Sequence, residues 1–205
     1  MNKIKLHKGD LPTSVTLGPE IAVDTEAMGL NPARDALCVV QLSAGDGSAH
    51  VVQLTRDYQC PNLKALLSDP KTLKIFHYAR FDVAMMKRWL GITCAPIWCT
   101  KIASKLARTY TDRHGLKDVT RELIGLNMDK SQQSSDWGAE ALSDLQLQYA
   151  ASDVLHLHDI RAGLSAILAR EGRLELAQAC FDFLPVRAEL DLMGWEDTDI
   201  FAHSS

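Results

Sequence analysis

Short apolar runs, rich in β-branched residues, fill the first part of the chain, and apolar residues at helical spacing fill most of the remainder. Five runs predict strands: residues 14–18, 20–26, 36–44, 49–55 and 73–79. Residues 62–69 predict a helix between the fourth and fifth strands, and helical periodicity then continues to about residue 194. Strands that come first and then alternate with helices are typical of an α/β fold, in which helices cover one mixed sheet.

The second run, residues 20–26 (EIAVDTE), ends in two carboxylates. Side chains alternate along a strand, so Asp24 and Glu26 share one face while Val23 points to the other. Two neighbouring carboxylates repel, and one would take up a proton unless a cation lies between them. A hard divalent ion with oxygen ligands is the simplest such cation. The alternative is that both residues lie beyond the strand, in water.

A second acidic position lies in a predicted helix. Five residues recur every three or four positions and form one stripe of that helix: Tyr149, Asp153, Leu157, Ile160 and Leu164. A carboxylate in line with apolar side chains costs free energy unless it has a partner. The alternative is that the helix is only half buried there, with Asp153 near its solvated start.

The third acidic position lies in residues 75–91 (IFHYARFDVAMMKRWLG). A strand is predicted to end near Tyr78 and a helix to start near Phe81, which puts Asp82 in the first helical turn. The helix dipole favours a carboxylate there, and that alone would account for Asp82. His77 and Arg80 also have ordinary interpretations, as a packed histidine and a solvated loop residue.

The combination of these segments predicts a metal site. Four carboxylates, from Asp24, Glu26, Asp82 and Asp153, are expected to converge on two Mg²⁺ or Mn²⁺ ions. Two such ions, about 3.5–4 Å apart, are typical of phosphoryl-transfer sites. Tyr149 is expected to stay protonated, since a phenol ordinarily has a pKa of about 10. It therefore suits positioning of the attacking water better than general-base catalysis.

Composition limits the class of protein. The 205 residues carry a net charge of −4, which argues against a broad phosphate-binding surface but not against a local site charged by metal ions. The five cysteines show no zinc-ligand spacing, so reduced thiols in a cytosolic protein are expected. No apolar run approaches the roughly 18 residues of a membrane span, and no signal-peptide core is present. A cytoplasmic protein without a membrane partner is therefore expected.

The acidic residues and their surroundings resemble a known family. The order Asp-x-Glu, Asp, Tyr-x-x-x-Asp is similar to the DEDD exonucleases of the tyrosine subclass, and residues 23–30 (VDTEAMGL), 77–82 (HYARFD) and 126–157 resemble ribonuclease D. The resemblance extends over about residues 15 to 170. It implies a ribonuclease H-like fold with a five-stranded mixed sheet flanked by helices. It also implies a 3′–5′ exoribonuclease that releases nucleoside 5′-monophosphates, in the processing of tRNA or other structured RNA.

The resemblance also implies roles for individual residues. Asp24, Glu26 and Asp153 would ligate the first metal ion, Asp24 would bridge to the second, and Asp82 would lie close to that second ion. Tyr149 would orient the attacking water. Six residues are candidate contacts of the RNA substrate: Thr25, Met28, Leu30, His77, Arg80 and Lys130. For Met28 and Leu30, ordinary packing is the alternative.

The domain prediction is an exonuclease domain over residues 1–170 and a helical extension over residues 171–205. Longer ribonuclease D proteins add HRDC domains after the exonuclease domain, and residues 171–205 are too few for one. The predicted partner is RNA with a single-stranded 3′ end. A DNA exonuclease remains as an alternative, because the same acids would serve RNA and DNA, and contacts to the 2′-hydroxyl decide between these two substrates. A catalytically silent RNA-binding module is a second alternative.

Overall fold

Six β-strands form one mixed sheet at the centre of the protein, in the computed structural model that describes residues 3–128, 132 and 134–203. In chain order they are β1 Lys3–Lys8, β2 Glu20–Ala27, β3 Leu37–Ser43, β4 Ser48–Gln53, β5 Leu73–Phe76 and β6 Ile97–Cys99. The order across the sheet is β1-β4-β3-β2-β5-β6. Strands β2, β3 and β4 pair antiparallel, whereas β1, β5 and β6 pair parallel with their neighbours. The acidic strand β2 is therefore central.

Helices cover this sheet. They are α1 Pro61–Ser68, α2 Ala79–Met85, α3 Thr100–Ala107, α4 Leu116–Ile124, α5 Asp144–Leu155, α6 Leu157–Arg170 and α7 Leu174–Leu190. Two π-helical turns, Met86–Leu90 and Asp191–Trp195, continue α2 and α7. Helix α5 packs across β2, β3 and β4, and α7 packs against α2, α3 and β6. The sheet and helices α2 and α5 thus bring the three acidic segments into one region.

The start of α5 is well defined by its sequence. The Ser143 hydroxyl accepts a hydrogen bond from the backbone N–H of Gln146, and the Gln146 side chain accepts one from the backbone N–H of Ser143. This reciprocal capping box satisfies two N–H groups that the first turn would otherwise leave unpaired. It fixes where α5 begins and therefore which face carries Tyr149 and Asp153.

Two features of the predicted sheet are wrong. Residues 14–18 form no strand, because Val15 closes a turn onto the carbonyl of Pro12 and Gly18 turns the chain at φ 78°. The sheet has six strands rather than five, because residues 14–18 are not part of it and because β1 and β6, which the apolar pattern does not predict, are. Strand β1 (KIKLHK) is an exposed edge strand rich in lysine, a composition that protects sheet edges but hides the strand pattern. Strand β6 has only three residues.

The predicted stripe over residues 149–164 does not belong to one helix. The helix is interrupted at His156, which has φ −112° and ψ 0°. Tyr149 and Asp153 therefore lie on α5 and the other stripe residues on α6. Strand β5 ends at Phe76, and α2 begins at Ala79, two residues earlier than predicted. Asp82 still lies in the first turn of α2.

Two findings bear on the predicted environment. None of the five cysteines is disulfide-bonded, and all but Cys180 are buried. Among the helices of the described residues, none has both the length and the apolar character needed to cross a membrane.

Candidate active site

Asp24 and Glu26 lie within β2, not beyond its end. Asp24 pairs in register with Gln41 of β3, and Glu26 pairs with Val39. The preceding residues Ile21–Val23 are fully buried, whereas both carboxylate residues are partly exposed. The acids therefore stand at the point where a core strand reaches the surface, which excludes the alternative of a solvated turn.

Helix α5 brings a third carboxylate to this point. One carboxylate oxygen each of Asp24, Glu26 and Asp153 lie within 4.8 Å of one another. The two elements that carry them are packed directly together. Segments that are far apart in sequence thus meet in one group of three carboxylates.

Asp82 lies beside this group from α2. Its side chain is only 3% exposed, and its Oδ1 accepts a hydrogen bond of 2.7 Å from the hydroxyl of Thr25, the residue between the two acids of β2. Thr25 is itself buried. Asp82 is therefore held against β2 next to the three clustered carboxylates, although its oxygens do not belong to the group that lies within 4.8 Å.

Burial and mutual repulsion raise the pKa of every one of these acids for which a shift is resolved. Burial, followed by the charges of Asp82, Asp153 and Glu26, raises the pKa of Asp24 well above its usual range. Burial and the charges of Asp153 and Asp82 raise the pKa of Glu26 to about 9. Burial raises the pKa of Asp82 to about 7, against the opposing hydrogen bond from Thr25. Without a cation, the site therefore holds protons near neutral pH.

This donor set fits a hard divalent cation. All the converging groups are carboxylates, the ligands that Mg²⁺ and Mn²⁺ prefer, and their repulsion is the electrostatic cost that such a cation removes. Among the described residues, this is the one group of three or more His, Cys, Asp or Glu side chains close enough to share a metal ion.

Tyr149 lies one turn before Asp153 on α5 and is half-buried. Burial and the charges of Asp153, Glu26 and Asp24 raise its pKa, so the phenol stays neutral. The ring packs against buried Trp137, with a centroid separation of 6.0 Å. The geometry therefore gives Tyr149 a fixed hydroxyl beside the carboxylates.

The candidate substrate residues fall into different settings. Met28 and Leu30 follow β2 with exposed apolar side chains, 51% and 88% accessible. His77 Nδ1 lies 2.8 Å from the hydroxyl of Thr100. Lys130 lies outside the described residues. No observation tests these substrate contacts, which stay predictions.

Arg80 forms an ion pair that the sequence does not predict. Its guanidinium donates two hydrogen bonds to Asp191, at 2.6 and 2.8 Å, and one to the carbonyl of Glu196. Arg187 also donates to Asp191. These bonds hold residues 191–203, the C-terminal hook, against the start of α2.

Two grooves are lined by residues near the acids in sequence. One, of about 420 Å³, lies between Leu30 and the C-terminal hook, with Tyr78 and Phe81 among its lining residues. The other, of about 270 Å³, is lined by Tyr149 of α5, by His156 just after that helix, and by Leu126 and Met128. Apolar and aromatic side chains in such grooves suit the faces of nucleobases.

Sequence reasoning missed Gln41. This residue is fully buried in β3, and its amide Nε2 donates to Oδ2 of Asp24 over 3.4 Å. A signal was present, since Gln41 is a polar residue inside the apolar run LCVVQLS. A buried amide costs free energy unless it is paired, which is the same argument that identified the acids.

Comparisons with known proteins agree with this geometry. A family model described as 3′–5′ exonuclease matches residues 10–169. Ribonuclease D of Acidiphilium cryptum is 36% identical over 157 residues, which cover 77% of this chain and 40% of that protein. The chain thus spans about 40% of the length of the curated relative.

Solved structures show similarity over more of the chain. Brucella melitensis NrnC bound to pGG is 53% identical with a TM-score of 0.95, and the match covers 100% of both chains. The same nuclease with bound Mg²⁺ has a TM-score of 0.94, with 98% of this chain and 100% of that chain covered. Escherichia coli RNase D is 27% identical with a TM-score of 0.71, covering 83% of this chain and 45% of that one.

These matches confirm the predicted α/β architecture of the ribonuclease H-like type, with the strand count corrected to six. They also confirm the predicted resemblance, because the family model covers the segments that carry it and a ribonuclease D matches 77% of the chain. The chain belongs to the 3′–5′ exonuclease family, among its ribonuclease D-like members.

Proposed function

We propose that this chain is a metal-dependent 3′–5′ exoribonuclease that removes nucleoside 5′-monophosphates from RNA 3′ ends. The observation that carries the proposal is the convergence of Asp24, Glu26 and Asp153 oxygens within 4.8 Å. Membership of the exonuclease family gives that cluster its chemical context. The Mg²⁺-bound structure of the NrnC relative supports the choice of metal.

Asp24, Glu26 and Asp153 would hold one Mg²⁺ or Mn²⁺ ion, and Asp82, beside Asp24, would help to hold a second. Two such ions supply a water of lowered pKa and stabilise the leaving oxygen. Thr25 keeps the Asp82 carboxylate in place through its hydroxyl. The Tyr149 hydroxyl would orient the attacking water.

In the proposed reaction, the water oxygen bonds to the terminal phosphorus and the bond from phosphorus to the preceding 3′ oxygen breaks. The products are a nucleoside 5′-monophosphate and an RNA that is one nucleotide shorter, with a 3′ hydroxyl. The exposed side chains of Met28 and Leu30 are proposed to contact the terminal nucleotide. Thr25, His77, Arg80 and Lys130 are proposed as further contacts of the RNA substrate.

The proposed substrates share a single-stranded RNA 3′ end. The NrnC relative has been solved bound to pGG, and it is 53% identical to this chain over the full length of both, which supports short oligonucleotides as substrates. The similarity to ribonuclease D supports 3′ tails of tRNA or other structured precursors. Both substrate classes would use the same acids.

One product analysis tests the proposal. A dinucleotide such as pGG, a 3′-tailed RNA hairpin and a matched DNA strand would each be incubated with the protein in Mg²⁺, in Mn²⁺ and in EDTA. Mononucleotides should appear from the RNA 3′ end in either metal and not in EDTA. Release from the 5′ end, internal cleavage or full activity in EDTA would contradict the proposal. Faster digestion of the DNA strand would favour the alternative of a DNA exonuclease.

Tyr149→Phe is expected to lower kcat for RNA hydrolysis by about 10- to 100-fold, because loss of the hydroxyl leaves the attacking water poorly oriented. The half-saturating Mg²⁺ concentration should change little, since the carboxylates remain. Tyr110→Phe is the matched control, because Tyr110 is 70% exposed and its hydroxyl donates to Glu122, outside the acidic group. A Tyr149→Phe protein as fast as the Tyr110→Phe protein would exclude the positioning role.

A further inference from the structure

Gln41 occupies an unusual position for an amide side chain. It lies in the middle of β3, it is 0% exposed, and it is the cross-strand partner of Asp24. Val39 and Ser43, two positions away and on the same face of the strand, are also fully buried.

The two ends of the Gln41 amide are unequally satisfied. Nε2 donates to Asp24 Oδ2 at 3.4 Å, a long hydrogen bond. Oε1 is buried and has no hydrogen-bond partner among the described residues. A buried amide with one long bond and one unpaired oxygen does little for the stability of the sheet. The contribution of this amide to the protein is therefore expected to lie in its hydrogen bond to Asp24.

We propose that Gln41 is a positioning residue that holds the Asp24 carboxylate in the orientation required for metal binding. The Gln41 amide lies opposite Asp24 on the neighbouring strand, and its Nε2 donates to Oδ2 of Asp24. A donor on Oδ2 restricts rotation of the carboxylate. Groups that orient metal ligands in this way commonly change metal affinity when they are replaced.

This inference rests on the proposed function, since it assigns a role toward the divalent cation. The inference goes beyond the proposed function because it assigns part of the affinity for the cation to an uncharged residue of β3. The opposing interpretation is that Gln41 only stabilises the sheet. The two interpretations predict different results for two measurable quantities, the Tm without metal and the affinity for Mg²⁺.

Gln41→Met keeps a similar volume and removes the donor. With Gln41 as a positioning residue, Tm in EDTA should be unchanged or higher, because an unpaired buried oxygen is lost. The dissociation constant for Mg²⁺ should rise about 10-fold or more. That constant is obtained from the rise of Tm with Mg²⁺ concentration, which needs no substrate. The half-saturating Mg²⁺ concentration for RNA hydrolysis should rise in parallel.

Ser43→Ala is the matched control on the same strand. Ser43 is a buried polar residue whose hydroxyl donates to the carbonyl of Ser48, at 2.7 Å, away from the acids. This variant should lower Tm in EDTA and leave the Mg²⁺ dissociation constant as in the wild type. Gln41→Asn is a second test variant, since its shorter side chain withdraws the amide from Asp24, and it should weaken Mg²⁺ binding as Gln41→Met does.

The outcomes separate the two proposals. If the wild type shows no Mg²⁺-dependent rise in Tm and no Mg²⁺-dependent activity, the metal site is overturned, and the role of Gln41 with it. If the wild type binds Mg²⁺ and both Gln41 variants bind it with unchanged affinity, the positioning role alone is overturned. A fall in Tm without a change in Mg²⁺ affinity would establish the purely structural interpretation instead.

Discussion

Asn in place of Asp24 is expected to lower RNA hydrolysis in Mg²⁺ by about a thousandfold or more, since stabilisation by bound metal is worth several kcal/mol and each tenfold in rate is about 1.4 kcal/mol. Asp24 contributes one of three clustered carboxylate oxygens and is the acid nearest to Gln41. A neutral amide is a weaker ligand for a divalent ion than a carboxylate. The measurement is the single-turnover rate of release of a 3′-labelled nucleotide.

The same substitution is expected to leave the fold intact or to stabilise it. Burial and the charges of Asp82, Asp153 and Glu26 raise the pKa of Asp24, so a neutral side chain at this position relieves repulsion. Tm in EDTA should therefore be unchanged or higher while activity is lost. This opposition between stability and function is typical of active sites.

Asp46→Asn is the matched control for Asp24→Asn. Asp46 lies in the exposed turn between β3 and β4, where it accepts hydrogen bonds from Ser48. Its variant should keep wild-type turnover. If Asp24→Asn also kept most of the wild-type turnover in Mg²⁺, the proposed role of the carboxylate group would be wrong.

The acidic site could be predicted from the sequence because each acid stands in a context of burial. Asp24 and Glu26 end an apolar run of the sequence, and Asp153 is spaced at helical intervals from apolar residues, although the structure divides these residues between α5 and α6. The cost of burying charge makes such positions informative. The position of Asp82 at a helix start does not by itself indicate a functional role. Its hydrogen bond from Thr25 joins distant parts of the sequence and is seen only in the structure.

Other features were hidden because their signals are weak or long-range. The lysines of β1 interrupt its apolar alternation, and β6 is too short to show a period. The contact between Arg80 and Asp191 joins residues 111 positions apart, and no local pattern announces such a pair. The sequence predicts that Arg80 contacts the substrate, and in the structure its guanidinium is paired with Asp191 of the C-terminal hook.

The metal-free protein is expected to lose stability as pH rises from about 7 to about 8, because the buried acids of the site keep protons in the folded state. The pKa of Glu26 is raised to about 9 in the folded protein, and that of Asp24 is also raised. In this range the folded state therefore holds protons that the unfolded state has released. Stability falls with pH wherever the folded state binds more protons.

The size of the effect follows from the number of protons involved. Each such group lowers the free energy of unfolding by about 1.4 kcal/mol per pH unit. For a chain of this length, that corresponds to a fall in Tm of about 3–6 °C per pH unit and group. Bound Mg²⁺ replaces the protons, so Mg²⁺ should raise Tm more at the higher pH, where fewer protons compete for the carboxylates.

Glu26→Gln distinguishes the contribution of this site to the pH dependence of stability from that of all other titrating groups. The substitution removes one carboxyl group of raised pKa and leaves the remaining acids in place. In EDTA, its Tm should fall less between the two pH values than that of the wild type, and its Tm should rise less on addition of Mg²⁺. The measurement is a set of thermal unfolding curves at both pH values, with EDTA and with Mg²⁺. Equal pH slopes for the two proteins, or a Mg²⁺ effect that is larger at the lower pH, would mean that proton release from these carboxylates is not coupled to cation binding. The repulsion between buried acids would then have to be relieved by some means other than a divalent ion.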